Sequence, residues 1–393
     1  MAHDAILALN AGSSSVKFAL FAHGDGDRLD LALRGEAEGI GATPHFRARD
    51  PKGATVTDRG FPEGTPYDKV LDALLGFVTD HQGGTALGAV GHRIVHGGIT
   101  FDRPVRVTDE VLAALDALIP FAPLHQPHNL APIRAIAASR PDLPQVACFD
   151  TAFHHGMPVL ATRFALPRAL TDAGIRRYGF HGLSYEFIAR RLRTLAPGLA
   201  GGRVIVAHLG NGASLCAMRG GRSVDTTMGL TALDGLMMGT RAGNLDPGVV
   251  LHLIAGRGMT TAAVEDLLYH RCGLLGVSGL SNDMRVLAES AEPHAAEAVA
   301  LFVFRIARET GALAASLGGL DGFVFTAGIG AHAPQVRAAV CARLAWLGVR
   351  IDGEANARGV GRISAPDSSV AVWVIPTDEE AMIADHTRET LRG

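Results

Sequence analysis

Lysine is almost missing from this chain. Only Lys17, Lys52 and Lys69 interrupt a basic complement that otherwise consists of 33 arginines, so Lys17, beside a Gly/Ser turn, stands out. Cysteine is equally sparse. Cys148, Cys216, Cys272 and Cys341 lie far apart with no CxxC pair, which argues against a disulfide framework or a zinc site and predicts buried thiols in a reducing cytoplasm. No uncharged apolar stretch approaches the roughly 20 residues of a bilayer span. Asp4 precedes the first apolar run with no basic leader, so neither a secretory signal nor a membrane anchor is expected. A net charge of −3 provides no basic field, which excludes nucleic acid as the main partner. Low-complexity tracts are absent. So are GxxxxGK[ST], a GxGxxG after a strand, and HExxH, which removes the two commonest nucleotide loops and the commonest zinc helix.

What is present is a pattern written twice. Ala5-Ile6-Leu7-Ala8-Leu9 leads through Asn10-Ala11-Gly12-Ser13-Ser14-Ser15 to Val16-Lys17-Phe18-Ala19-Leu20. Half a chain later, Val204-Ile205-Val206-Ala207-His208 leads through Leu209-Gly210-Asn211-Gly212 to Ala213-Ser214-Leu215-Cys216. Each reads as a hairpin whose tight turn aims backbone N–H groups and hydroxyls at one spot, an anion nest suited to phosphate. One nest per half suggests a nucleotide held between two lobes. The 393 residues, 48% hydrophobic and 19% charged, agree with two globular domains. Helical patterns at 67–78, 109–118, 184–195, 262–270, 295–317 and 334–347 alternate with strand-like runs, which gives an α/β architecture. Gly318-Gly319 should stop the long helix. Residues 24–64 read as loops and edge strands. The domains are expected at 1–150 plus 380–393, and 151–379.

Other segments pair a functional reading with a structural one. Ser hydroxyls, backbone amides and Lys17 suit phosphate oxygens and Asn10 suits a metal, yet turn serines also bond their own backbone. His92, Arg93 and His96, His125 and His128, His154 and His155, His181, and Arg241 all sit in Gly- or Pro-rich contexts. Arginine and histidine there suit the charge developed in phosphoryl transfer, whereas any single histidine reads equally as a satisfied structural one. Asp150, at the end of Val146-Ala147-Cys148-Phe149, is placed either for an active site or for a helix cap. The strand 322–326 runs into Ala327-Gly328-Ile329-Gly330, expected to be a glycine turn before a helix opening near Pro334. Thr377 with Glu380 fits a capping box. That leaves Glu379 to hold Mg²⁺, directly or through water.

Taken in order along the chain, these motifs resemble the acetate and propionate kinase family of the actin-like superfamily. The resemblance runs from Leu9-Asn10-Ala11-Gly12-Ser13-Ser14-Ser15-Val16-Lys17-Phe18 to Pro376-Thr377-Asp378-Glu379-Glu380. It implies two RNase-H-like lobes of the actin/sugar-kinase type, a nucleotide cleft between them, a homodimer, and ATP- and Mg²⁺-dependent (alternatively Mn²⁺-dependent) phosphorylation of acetate to acetyl phosphate. The reverse reaction with ADP is implied too. It also implies roles. Asn10 and Glu379 are metal positions. Lys17, Ser13, Ser15, His208, Leu209, Gly210, Asn211, Gly212, Asp283, Met284, Arg285, Gly328, Ile329, Gly330, Ala331 and His332 are nucleotide positions. Arg93 holds the substrate carboxylate, and Val95, Leu124 and Phe180 form the pocket for its methyl group. His181 and Arg241 stabilise the transition state, His125 assists, and Asp150 occupies the acid/base position. Four departures from the family pattern stand out: Ala331-His332 for Glu-Asn, Asp378 for Asn, Asn244 for an acidic residue, and Ala232 for a pocket proline. The last predicts that propionate is accepted. A related butyrate or branched-acid kinase, and an actin- or chaperone-like nucleotide switch, are the competing readings.

Overall fold

Both expected hairpins form, and each seeds a sheet. The computed structural model describes residues 5–12, 15–24, 28–81, 86–123 and 125–392. The chain divides into two units, Met1–Phe153 with Asp378–Gly393, and His154–Thr377.

In the first unit, β1 (Ala5–Ala11), β2 (Ser15–His23), β3 (Leu29–Glu38), β4 (His45–Arg49), β5 (Thr55–Gly60), β6 (Leu87–Ile94), β7 (Val105–Arg106) and β8 (Gln145–Phe149) are arranged as β5-β4-β3-β2-β1-β6-β8-β7. β1, β2 and β3 pair antiparallel, and β6 and β8 continue the sheet parallel to β1. β1 and β8 are buried almost throughout, as strands covered on both faces must be. The helix Tyr67–Asp80 packs Val70, Leu71 and Leu74 against Phe18 and Phe46. The helix Glu379–Arg392 lies against β1, β6 and β8. Its approach to β6 demands Gly91, since a Cβ there would run into Thr387 Oγ1 and lie 2.6 Å from Ile383 Cγ2.

The second unit repeats the plan. β9 (Arg203–Leu209), β10 (Ala213–Arg219), β11 (Arg222–Thr226), β12 (Gly322–Thr326), β13 (Gly361–Arg362) and β14 (Ala371–Val374) are arranged as β11-β10-β9-β12-β14-β13. Again three antiparallel strands are followed by two parallel ones, the repeated lobe that the resemblance implies. The helix Pro293–Leu317 covers β9, β10 and β11 and ends at Gly318 with φ 70°, as the Gly318-Gly319 pair predicts.

Three local expectations need correction. Ala327–His332 is a short helix, not a glycine turn, and Ala327 enters it at φ 62°. The next helix stops at Arg343, and Ala345–Leu347 is a separate turn closed by Gly348 at φ 87°. Asp378, not Thr377, caps the last helix. Its Oδ1 accepts from Ala381 N at 3.0 Å, while Thr377 Oγ1 is buried without a hydrogen-bond partner among the described residues. Asp378 also pairs with Arg34 at 2.8 Å, which gives this departure from the family pattern two structural tasks.

Two of the histidine motifs are structural. His92 Nε2 donates to Gln145 Oε1 at 2.8 Å, and His154 Nε2 donates to Phe180 O at 3.0 Å. Burial pushes both from 6.5 down to about 4. Below pH 6.5 the unfolded chain therefore takes up protons that the folded chain refuses. These groups contribute stability at neutral pH, and that contribution declines as pH falls toward 4. His154→Gln should flatten the pH dependence of the urea-unfolding free energy in that window by up to about 1.4 kcal/mol per pH unit. An unchanged slope would contradict this assignment.

Candidate functional site

Three parallel strands of the first unit end together. Asn10 sits near the end of β1 opposite Lys17, Arg93 near the end of β6 opposite Cys148, and Asp150 follows β8. The carboxyl edge of such strands is where side chains from separate segments converge. Glu379 arrives there at the start of the C-terminal helix.

Arg93 is the hub. Its Nε and Nη2 donate to Asp150 Oδ2 at 3.1 and 2.6 Å, and its Nη1 donates to Asn10 Oδ1 at 3.0 Å. Asn10 Nδ2 in turn donates to Glu379 Oε2 at 3.3 Å. Asp150 is 1% exposed, while Arg93 keeps 21% of its side chain accessible. Of five guanidinium N–H groups, Asp150 and Asn10 occupy three. The remaining two, one on each Nη, are not taken by these partners, and a carboxylate accepts such N–H groups readily. Burial works against the Arg93 charge, but Asp150 and Glu379 outweigh it and raise its pKa. Burial pushes Glu379 up to about 7 against the pull of Arg93, with Asp150 and Glu380 adding to the rise.

Sequence reading missed Asn129 as a support. It accepts from Val95 N at 2.9 Å and donates to Ala11 O at 2.6 Å, tying the end of β1 to the segment after β6. Nothing local marks a helical Asn for that task. Val95 is 3% exposed beside it. Ser15 O closes the first turn by accepting from Gly12 N at 2.7 Å, and His125 immediately precedes the helix Gln126–Ser139. Ser13 and Leu124 lie outside the described residues.

In the second unit the turn after β9 is closed by Gly210 N donating to Gly212 O at 3.0 Å. A Cβ on Gly212 would lie 2.9 Å from Arg241 Nη2 and 3.2 Å from His181 Nε2, so these two side chains converge over the loop at the glycine. His181 adopts φ 58° just before the helix Gly182–Leu195. Such a left-handed conformation in a non-glycine residue marks stored strain. His154 holds the carbonyl of Phe180 just before it, and Phe180 is itself 2% exposed. Arg241 Nη1 donates to Ala232 O. His181 stacks on His208, centroids 4.1 Å apart and planes within 13°. His208 Nδ1 meets Ser184 Oγ at 2.8 Å. Asn211 O accepts from Gly239 N at 2.9 Å, and Asn211 Oδ1 from Asn282 Nδ2 at 3.3 Å.

The remaining nucleotide candidates divide. Asp283 caps the helix Met284–Glu289 through Arg285 N and also pairs with the Arg285 guanidinium at 2.6 Å. Leu209, Met284 and Ala331 are buried. Gly328 and His332 are exposed on the helix Ala327–His332, with Ile329 half-buried. Arg337 accounts for the far end of that helix, donating to the carbonyls of Gly330 and Ala331 at 3.0 and 2.8 Å.

The chain matches the family described as "Acetokinase family" over residues 5–385. It is 58% identical over 387 residues to an acetate kinase of Rhodopseudomonas palustris, covering 98% of this chain and 97% of the relative. The crystal structure of Porphyromonas gingivalis acetate kinase is similar at TM-score 0.87 and 38% identity, covering 99% of this chain and 100% of that one. A propionate kinase from Francisella tularensis subsp. tularensis SCHU S4 is similar at TM-score 0.91 and 36% identity, covering 98% and 99%. The two repeated sheets are thus those of an actin-like kinase. The chain belongs to the acetokinase family.

Proposed function

We propose that this chain transfers the γ-phosphoryl group of ATP to acetate, reversibly, and accepts propionate as well. The observation that carries the mechanism is the meeting of Arg241 and His181 over Gly212. Acetate is already ionised at neutral pH, so no strong base is needed to activate it. The task is to neutralise charge on the transferring group and to orient the attacking oxygen. Arg93 takes the substrate carboxylate on its remaining N–H groups while Asp150 fixes the side of the guanidinium. This makes Asp150 an orienting group for Arg93, in place of a proton acceptor. Arg241 and His181 donate to the transferring phosphoryl oxygens, His125 assists, and Lys17 with the Gly/Ser turn holds phosphate. Val95, Leu124 and Phe180 receive the acyl group.

Among the described residues no group of three or more His, Cys, Asp or Glu could hold a metal ion. Asn10 and Glu379 nevertheless offer hard oxygen donors, and a half-buried carboxylate pushed up to about 7 gains from a cation. That donor set fits Mg²⁺ or Mn²⁺, which bind through one or two protein oxygens, waters and substrate phosphates. When bound, the ion would screen the phosphate charge of ATP. We also infer a homodimer, on the family resemblance, and a cytoplasmic setting, on its well-separated thiols. No helix among the described residues is long and apolar enough to cross a membrane.

Trapping acyl phosphate with hydroxylamine, with acetate, propionate and butyrate compared side by side, tests this function. Acyl phosphate formed from acetate supports it, and none from any of the three refutes it. An added methylene in an apolar pocket discriminates by about 1–3 kcal/mol. The kcat/KM for propionate should therefore fall within about 200-fold of that for acetate. Near-total rejection of propionate would defeat the reading of Ala232.

A further inference from the structure

We infer that Ser214, with Tyr185 behind it, is a positioning pair that holds the His181 imidazole neutral with its proton on Nε2, on the side of the Gly212 loop. The inference deepens the proposed function by assigning the chemical form in which His181 acts. Ser214 is the second residue of β10 and pairs with His208 in the ladder. Tyr185 is on the first turn of the helix that His181 precedes. Both side chains are 0% exposed.

The Ser214 hydroxyl is shared. It lies 2.8 Å from His181 Nδ1 and 2.5 Å from the Tyr185 hydroxyl. Among the described residues neither Ser214 nor Tyr185 has another side-chain hydrogen-bond partner. Counting protons then decides the direction. The phenol carries one proton, and its only acceptor is Ser214 Oγ. If Ser214 donated to Tyr185, the phenolic proton would be buried without an acceptor, which costs about 1–3 kcal/mol. Tyr185 therefore donates to Ser214, and the Ser214 proton has one acceptor left, His181 Nδ1. A nitrogen that accepts carries no proton, so the neutral ring must carry its proton on Nε2. Burial raises the Tyr185 phenol well above its ordinary value, in keeping with a group that retains its proton and donates.

This form suits the reaction. Nε2 is the ring nitrogen nearest the Cβ position of Gly212, which Arg241 Nη2 also approaches, and a donor to phosphoryl oxygen is wanted there. Stacking on His208 at 4.1 Å disfavours two adjacent imidazolium rings. Arg241 then supplies the fixed positive charge and His181 a directed neutral hydrogen bond. Ser214 and Tyr185 touch neither substrate in this account. They act through His181 alone.

The test uses the full-length enzyme labelled with ¹⁵N-histidine, with the His181 signals assigned by their loss in His181→Gln. At neutral pH the wild type should show a pyrrole-like Nε2 and a pyridine-like Nδ1. A protonated Nδ1 would overturn the inference. Ser214→Ala should release the ring to a mixture of tautomers and lower kcat about 10- to 100-fold, with both KM values within about twofold. Ser214→Thr, which keeps the hydroxyl, should restore most of the loss. An unchanged kcat in a folded Ser214→Ala enzyme would also overturn it. The spectrum is recorded on resting protein. If no short-chain acid is phosphorylated at all, the proposed function falls while the tautomer assignment is still judged by its own signals.

Discussion

Arg241→Ala lowers kcat by about a thousandfold and leaves KM for acetate and ATP within a few-fold. The magnitude follows from its proposed role. A cationic fork aimed at the equatorial oxygens of a transferring phosphoryl group strengthens its contacts as charge spreads in the transition state, and such groups contribute about 10³–10⁵ in kcat. The lower end applies because His181 converges on the same point and retains part of the stabilisation. Arg241 also donates to Ala232 O, so a loosened loop has to be distinguished from lost chemistry. Arg241→Lys keeps the charge, loses the fork and should recover only part of the rate. An effect confined to KM would refute the role, because it would mean that Arg241 binds the ground state and the transition state equally.

Arg93→Ala has two separable consequences. It removes the guanidinium proposed to receive the substrate carboxylate, so KM for acetate should rise by about 100-fold or more, since a charged hydrogen-bonded pair is worth about 2–5 kcal/mol. It also strands Asp150, which is 1% exposed, as a buried carboxylate without its bidentate partner. Removing one member of such a pair costs about 3–5 kcal/mol of stability. Arg93→Ala with Asp150→Ala should regain much of that stability without regaining activity. The difference between the single and double variants measures the coupling. If Arg93→Ala leaves Tm unchanged, the pair has no structural weight. If the double variant recovers turnover, Arg93 is not the carboxylate holder.

The reach of the sequence is clearest where structure is local. Both Gly-bearing turns were legible because an apolar run, a polar turn and a second apolar run are written in adjacent residues. Gly318 stopped its helix for the same reason. The pairing of Arg93 with Asp150 was not legible, because it depends on β6 and β8 becoming neighbours across fifty intervening residues. The route from Tyr185 through Ser214 to His181 needs a helix and a strand to pack before it exists. Its only trace in the sequence is that Ser214 closes the second turn motif. The cap falls at Asp378, one residue beyond the Thr377 that the sequence pattern favours, because both satisfy cap chemistry and the backbone selects between them. The segment that forms the helix Ala327–His332 reads as a turn in the sequence because two glycines usually break helices. Here the break falls one residue earlier, at Ala327, with its φ of 62°.

The central claim is that phosphoryl passes directly from ATP to the substrate carboxylate held by Arg93, without resting on any protein side chain. ATP made chiral at its γ-phosphorus with oxygen isotopes tests this most directly. A single in-line displacement inverts the configuration in the acyl phosphate product. Retention would reveal two successive displacements through a phosphorylated residue and would contradict the mechanism.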